Sequence, residues 1–214
     1  MQTLEKMTIG EYVAKDFRTA AVFSKYGIDF CCKGNRTIEE ACEKKDIDTD
    51  QLMDQLNTVL STKNDSAIDF KSWPLDLLAD YIEKTHHRYV QEKTQVILPF
   101  LDKLCKVHGA NHPELFEINE LFIGCAGELA QHLIKEEQIL FPFIKKMVKA
   151  SLTDEAIAQP QFGTVNNPIA MMMEEHEAEG DRFVKIAELT NNYTPPADAC
   201  STYRVTFAML SDFE

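Results

Sequence analysis

The chain is poor in helix-breaking residues: its 214 residues include only eight glycines and eight prolines. With polar residues set between apolar ones at helical spacing, that scarcity points to an all-α protein. No segment alternates like a half-buried strand, and none is of low complexity. Basic charge is scarce as well, 22 Lys and Arg against 35 Asp and Glu, a net charge of −13. A surface so acidic repels phosphates, which argues against nucleic acid or an anionic membrane as partner. No apolar run is long enough to span a bilayer. The opening MQTLEKMTIGEYV lacks a basic start followed by an apolar stretch, so no secretory signal is read. The expectation is a cytoplasmic protein whose six cysteines stay reduced. Neither a phosphate-cradling glycine loop nor a nucleophilic triad is visible, so hydrolase or kinase chemistry is not favoured.

Histidine is missing from the first 85 residues; the six occur at His86, His87, His108, His112, His132 and His176. Cysteine is weighted the other way, with Cys31, Cys32 and Cys42 clustered early. The chain therefore reads as a thiol part followed by an imidazole part. Residues 1–61 form a small domain of short helices, with Thr8/Glu11 and Thr37/Glu40 as capping boxes and Gly27 as a helix stop. Residues 62–71 are a polar linker. Residues 72–214 hold four long helices, expected at about 74–106, 112–149, 167–190 and from 197 onward. Ser72 is placed to cap the first of them, and Pro99 to kink it. Short connections favour an up-down-up-down bundle.

Three of these helices carry an imidazole inside an apolar stripe. The second runs Ile118, Phe122, Cys125, Leu129, His132, Glu136, Leu140, with His132 and Glu136 one turn apart on the same face. The third runs Ile169, Met172, His176, Gly180, Phe183. The first runs Leu75, Leu78, Ile82, His86, Tyr89, which selects His86 over its neighbour His87. A lone histidine of this kind is usually a hydrogen-bonded core residue. Here, however, His86, His132 and His176 are spaced by 46 and 44 residues, which in an antiparallel bundle puts them at one level. Three imidazoles and a carboxylate together suit iron, zinc or manganese. His108 and His112 read as structural, and Cys42, Cys105, Cys125 and Cys200 as ordinary core or helix residues.

These residues resemble a known family. His132-Leu-Ile-Lys-Glu136-Glu-Gln-Ile-Leu-Phe-Pro is similar to the H-x3-E-E-x-x-L-F-P signature of hemerythrin-like proteins, and Met173-Glu-Glu-His176-Glu-Ala-Glu-Gly to their third-helix motif. The loop from Asp29 to Cys42 resembles the N-terminal domain of the iron–sulfur cluster repair di-iron proteins. The resemblance implies a hemerythrin-like four-helix bundle with a non-haem, carboxylate-bridged di-iron centre. His86, His132 and His176 would be terminal ligands and Glu136 a bridge. It implies repair of iron–sulfur proteins damaged by nitrosative or oxidative stress, by iron donation or nitric oxide chemistry. Nitric oxide or dioxygen would be the small ligands, and the protein a homodimer. The alternative is a carrier or sensor of dioxygen, nitric oxide or iron.

The family's fourth helix supplies a further His-x3-Glu. The helix from 197 to 214 has no histidine, and the spacing places the missing one near position 220. The expectation is a fourth helix cut short, or else weak or single-ion iron binding. Cys31 and Cys32 are the candidate working thiols, for redox or iron transfer. Lys33 and Arg36 nearby favour the thiolate, and a disulfide between sequence neighbours is strained.

Overall fold

The computed structural model describes residues 7–30, 33–61, 69–153 and 155–214. It divides into two compact units, Met1–Trp73 and Pro74–Glu214. Among the described residues the regular structure is helical, apart from one isolated bridge between Thr8 and Thr37. No helix among them is long and apolar enough to cross a membrane.

The first unit holds α1 (Ile9–Lys15), α2 (Thr19–Lys25), α3 (Ile38–Lys45) and α4 (Thr49–Ser61). Both expected capping boxes form: Thr8 and Thr37 each accept from the backbone three residues on, and Glu11 and Glu40 accept in return. The apolar stretch from Tyr12 to Phe23 is two helices rather than one. Asp16 adopts an extended backbone and its carboxylate holds the Arg18 guanidinium at 2.6 Å, which closes α1 and turns the chain into α2. Gly27 ends α2 with φ +63°, where a side chain would be strained.

Ile9, Tyr12, Phe23, Ile38, Leu52 and Leu56 close the core of this unit. The loop after α2 is tied to the start of α1, because the Ile9 and Gly10 amides donate to the carbonyls of Arg36 (2.9 Å) and Gly34 (2.7 Å). Glycine is needed at 34, since a Cβ there would lie 2.2 Å from the Phe30 carbonyl oxygen. Cys31 and Cys32 lie outside the described residues, between the anchored Phe30 and Lys33.

The second unit begins with α5 (Leu75–Tyr81), which passes through a π-helical segment, Ile82–His87, into α6 (Arg88–His108). Then α7 (Glu114–Lys135) passes through a second π segment, Glu136–Leu140, into α8 (Phe141–Thr153). Two further helices follow, α9 (Asn166–Leu189) and α10 (Ser201–Phe213). Pro74 rather than Ser72 stands at the N-cap of α5, with no side-chain cap. The chain leaves α geometry at Ile82–His87, and α6 then continues through Pro99.

α7 packs against α6 and α9, α10 against α6, and α5 against α8. Leu101, Leu104, Ile118, Phe122, Ile186, Tyr203, Phe207 and Leu210, from α6, α7, α9 and α10, form one core. Where α9 packs on α7, the Arg182 guanidinium lies over Gly124, in the space a Cβ would take, and reaches the Leu121 carbonyl at 3.4 Å.

Candidate metal centre

The two π segments lie at the site. A π turn takes one residue more than an α turn, so the side chains beyond it swing by about 100° relative to an unbroken helix. In the first segment the residue that shares the inward face with Ile82 is therefore five positions on, not four. The structure accordingly buries His87 (5 % exposed) and leaves His86 exposed, edge-on to Tyr81 with ring centroids 5.4 Å apart. The stripe that selected His86 assumed an unbroken α register. The geometry replaces it with His87, which stacks on Phe141 at 5.5 Å.

His87, His132, Glu136 and His176 are brought together. His87 Nε2 lies 3.0 Å from Glu136 Oε2, and His132 Nε2 lies 3.5 Å from the same oxygen. His176 Nε2 faces His132 Nε2 at 2.9 Å. His132 is buried and Glu136 mostly so, while the outer side of His176 is open to solvent. A second row of groups, which the stripe reading missed, orients the first. Glu137 accepts from His87 Nδ1 at 2.8 Å, and Glu175 accepts from His132 Nδ1 at 2.8 Å. Lys135 in turn pairs with Glu175. Glu137 and Glu175 each adjoin a residue already singled out and lie inside the two quoted motifs, but nothing in the sequence assigned them this orienting role.

Proton counting tests whether a cation fits. A neutral imidazole carries one proton. The carboxylates of Glu137 and Glu175 hold that proton on Nδ1 of His87 and His132, so each Nε2 presents a lone pair to Glu136 Oε2. His176 Nε2 meets His132 Nε2, and one proton at most fits between them. Around Glu136 acceptors thus face acceptors, and only extra protons or a cation can relieve those contacts.

The titration of the metal-free cluster follows from this. Burial opposes charge on His87 and His132, but the flanking carboxylates outweigh it and raise both imidazoles. Burial likewise opposes charge on Glu136, yet His132 and His87 draw it down to about 2. Burial and then the neighbouring His132 charge lower His176. Three nitrogens and one carboxylate fit iron, zinc or manganese, and carboxylate-held Nδ1 protons are how metal-ligating histidines are usually oriented. The donors are closed on one another, and among the described residues no group of three or more His, Cys, Asp or Glu side chains stands as a formed metal site. A cavity of about 120 Å³ lies beside them, lined by Glu128, Leu129, His132, Glu175, His176 and Glu179.

Residues 78–214 match the hemerythrin HHE cation binding domain. The chain belongs to the hemerythrin HHE family. Residues 5–60 match ScdA_N, a domain of unknown function. Among similar curated proteins is the iron-sulfur cluster repair protein ScdA of Staphylococcus haemolyticus, 30% identical over 206 residues, which cover 96% of this chain and 88% of that one. The ScdA protein of Staphylococcus epidermidis is 28% identical over 198 residues, covering 92% and 84%. The iron-sulfur cluster repair protein YtfE of Yersinia pestis is 31% identical over 196 residues, covering 92% and 82%. The His132–Glu136 and His176 stripes thus lie within a hemerythrin-family cation-binding domain, and the thiol loop lies within the ScdA_N match.

Proposed function

We propose that this hemerythrin-family chain repairs iron–sulfur clusters damaged by oxidative or nitrosative stress. The carrying observation is the convergence of His87, His132, His176 and Glu136 in a chain similar along both modules to proteins named for that repair. The carrier or sensor reading is not favoured, since a repair-named relative spans 96% of the chain.

In this reading His87, His132, His176 and Glu136 would hold the non-haem iron, a di-iron centre in the family that the chain resembles. Iron held there would supply one-electron redox chemistry and open positions for nitric oxide or dioxygen. The protein's own share is electrostatic. Glu137 and Glu175 keep the Nδ1 protons of His87 and His132 and so leave both Nε2 lone pairs for the metal. Lys135 balances the Glu175 charge. The cavity is large enough for a diatomic ligand and opens on His132 and His176. Cys31 and Cys32 pass iron or a redox equivalent to the client, the damaged iron–sulfur protein. The protein works as a cytoplasmic homodimer.

Two experiments test this. Protein purified without oxygen from iron-supplemented cells is expected to carry iron and to restore activity to a peroxide-damaged iron–sulfur enzyme. The Cys31→Ser/Cys32→Ser double variant should keep its iron and lose reactivation. Trace iron in the wild type would overturn the metal assignment, and undiminished reactivation by the double variant would remove the thiols from it. Separately, Glu175→Gln is expected to weaken iron binding by about 10–100-fold, the usual cost of losing an outer carboxylate. Competition with a chelator reads this out, and an unchanged affinity would show that His132 is oriented without Glu175.

A further inference from the structure

A second constellation of titratable groups lies where α6 ends and α10 begins. It is distinct from the metal centre, since His87 and His108 are separated by the 21 residues of α6, about 30 Å of helix. Cys200 is the N-cap of α10, and its sulfur accepts from the Tyr203 amide at 3.5 Å. His108, the last residue of α6, brings Nε2 to 3.2 Å from the same sulfur. The Tyr203 ring stands edge-on to both His108 and His112, at 5.4 and 5.6 Å, and so fixes the plane of His108. His112 is held between Glu114 and Asp198, each at 3.1 Å.

These contacts make Cys200 unlike the other described cysteines. Cys42, Cys105 and Cys125 are buried, and burial raises the thiols of Cys105 and Cys125. Cys200 is exposed. The Tyr203 amide first, and then His108, draw it down to about 7, at the positive end of a 13-residue helix. Nothing local in the sequence sets it apart from an ordinary helix residue, because His108 is 92 positions away.

We propose that Cys200 is a peroxide-reactive thiol and that His108 is its proton donor. The Cys200 thiolate attacks one oxygen of a hydroperoxide. An S–O bond forms as the O–O bond breaks, sulfur gives up two electrons, and the peroxide accepts them. The departing oxygen takes the proton that Cys200 Sγ and His108 Nε2 share and leaves as water or an alcohol. The product is a sulfenic acid at the N-cap of α10 beside His108. Oxidation to this stage is reversible by thiols.

The magnitude at neutral pH can be set in advance. A thiol of pKa about 7 is half ionised at pH 7, against about 3% for one near 8.5, a gain of about sixteenfold. The lower basicity of its thiolate takes back about fivefold. Alkylation of Cys200 at pH 7 is therefore expected to run about threefold faster than in a short synthetic peptide carrying residues 197–206. The experiment uses the whole protein, iodoacetamide across pH 6–9, and hydrogen peroxide followed by dimedone, with mass spectrometry reading each cysteine-containing peptide separately.

The wild-type profile for Cys200 should turn over near pH 7, and dimedone should label Cys200 faster than it labels the synthetic peptide. His108→Gln should shift the turnover upward and slow the labelling several-fold, while Asp198→Asn, which leaves the Cys200–His108 contact in place, should not. A wild-type turnover in the ordinary thiol range near ~8.5 would overturn the proposal without any variant. So would peroxide labelling no faster than the peptide's, or a folded His108→Gln protein that reacts as fast as wild type.

Discussion

The His87→Ala protein is expected to purify nearly free of iron, and the His86→Ala protein with its iron intact. The two residues are neighbours on one helical run and the substitution is the same, so the change in helix propensity is matched between the two experiments. What differs is the π segment at Ile82–His87, which turns His87 inward and His86 outward. Removing His87 deletes one of the nitrogens that meet Glu136 and leaves Glu136 and Glu137 each short of a partner. The cost should exceed the about 10–100-fold that loss of an outer partner brings. His87→Gln, which keeps a polar group of similar length, separates lost ligation from lost packing on Phe141. Iron per chain and far-ultraviolet circular dichroism check both points. If His86→Ala loses iron and His87→Ala keeps it, the loaded protein holds an unbroken α register through this turn.

That pair of residues also marks the limit of what sequence could yield. Capping boxes at Thr8 and Thr37 were legible because their chemistry is complete within four residues. The stripes through His132 and His176 were legible because α7 and α9 keep α periodicity across them. A π turn leaves no mark in periodicity; it slips the register by one residue, which is enough to exchange His86 for His87. The split of the first apolar stretch at Asp16 was missed because it depends on the local Asp16–Arg18 pair rather than on a glycine or proline. Contacts across long separations, such as His108 with Cys200 or His132 with Glu175, depend on how the helices pack, and no local pattern encodes that. The meeting of His132 and His176 across two helices was readable from their spacing, whereas the outer partners that packing supplies, and a register slip within one run, were not.

Leu56→Ala is expected to unfold most of the first unit at physiological temperature while leaving the iron content unchanged. Leu56 is wholly buried among Ile9, Tyr12, Phe23, Ile38 and Leu52. Truncating a buried leucine costs about 2–5 kcal/mol. A core this small supplies only about 3–5 kcal/mol of net stability, so the loss takes most of what holds α1–α4 together. The melting midpoint of the unit should fall by at least about 10 °C, and amide exchange over Ile9–Ser61 should lose its protection. Thr58→Ala, on the exposed side of the same helix, should shift stability by no more than about 0.5 kcal/mol. None of the candidate iron donors belongs to this unit, so iron per chain should match wild type. Reactivation of a damaged iron–sulfur enzyme should nevertheless fail, because the Gly34 and Arg36 carbonyls that flank the thiols are held by the first turn of α1. If Leu56→Ala kept full reactivation with its first unit unfolded, the thiols would not need a fixed position, and the iron of the second unit would suffice for repair.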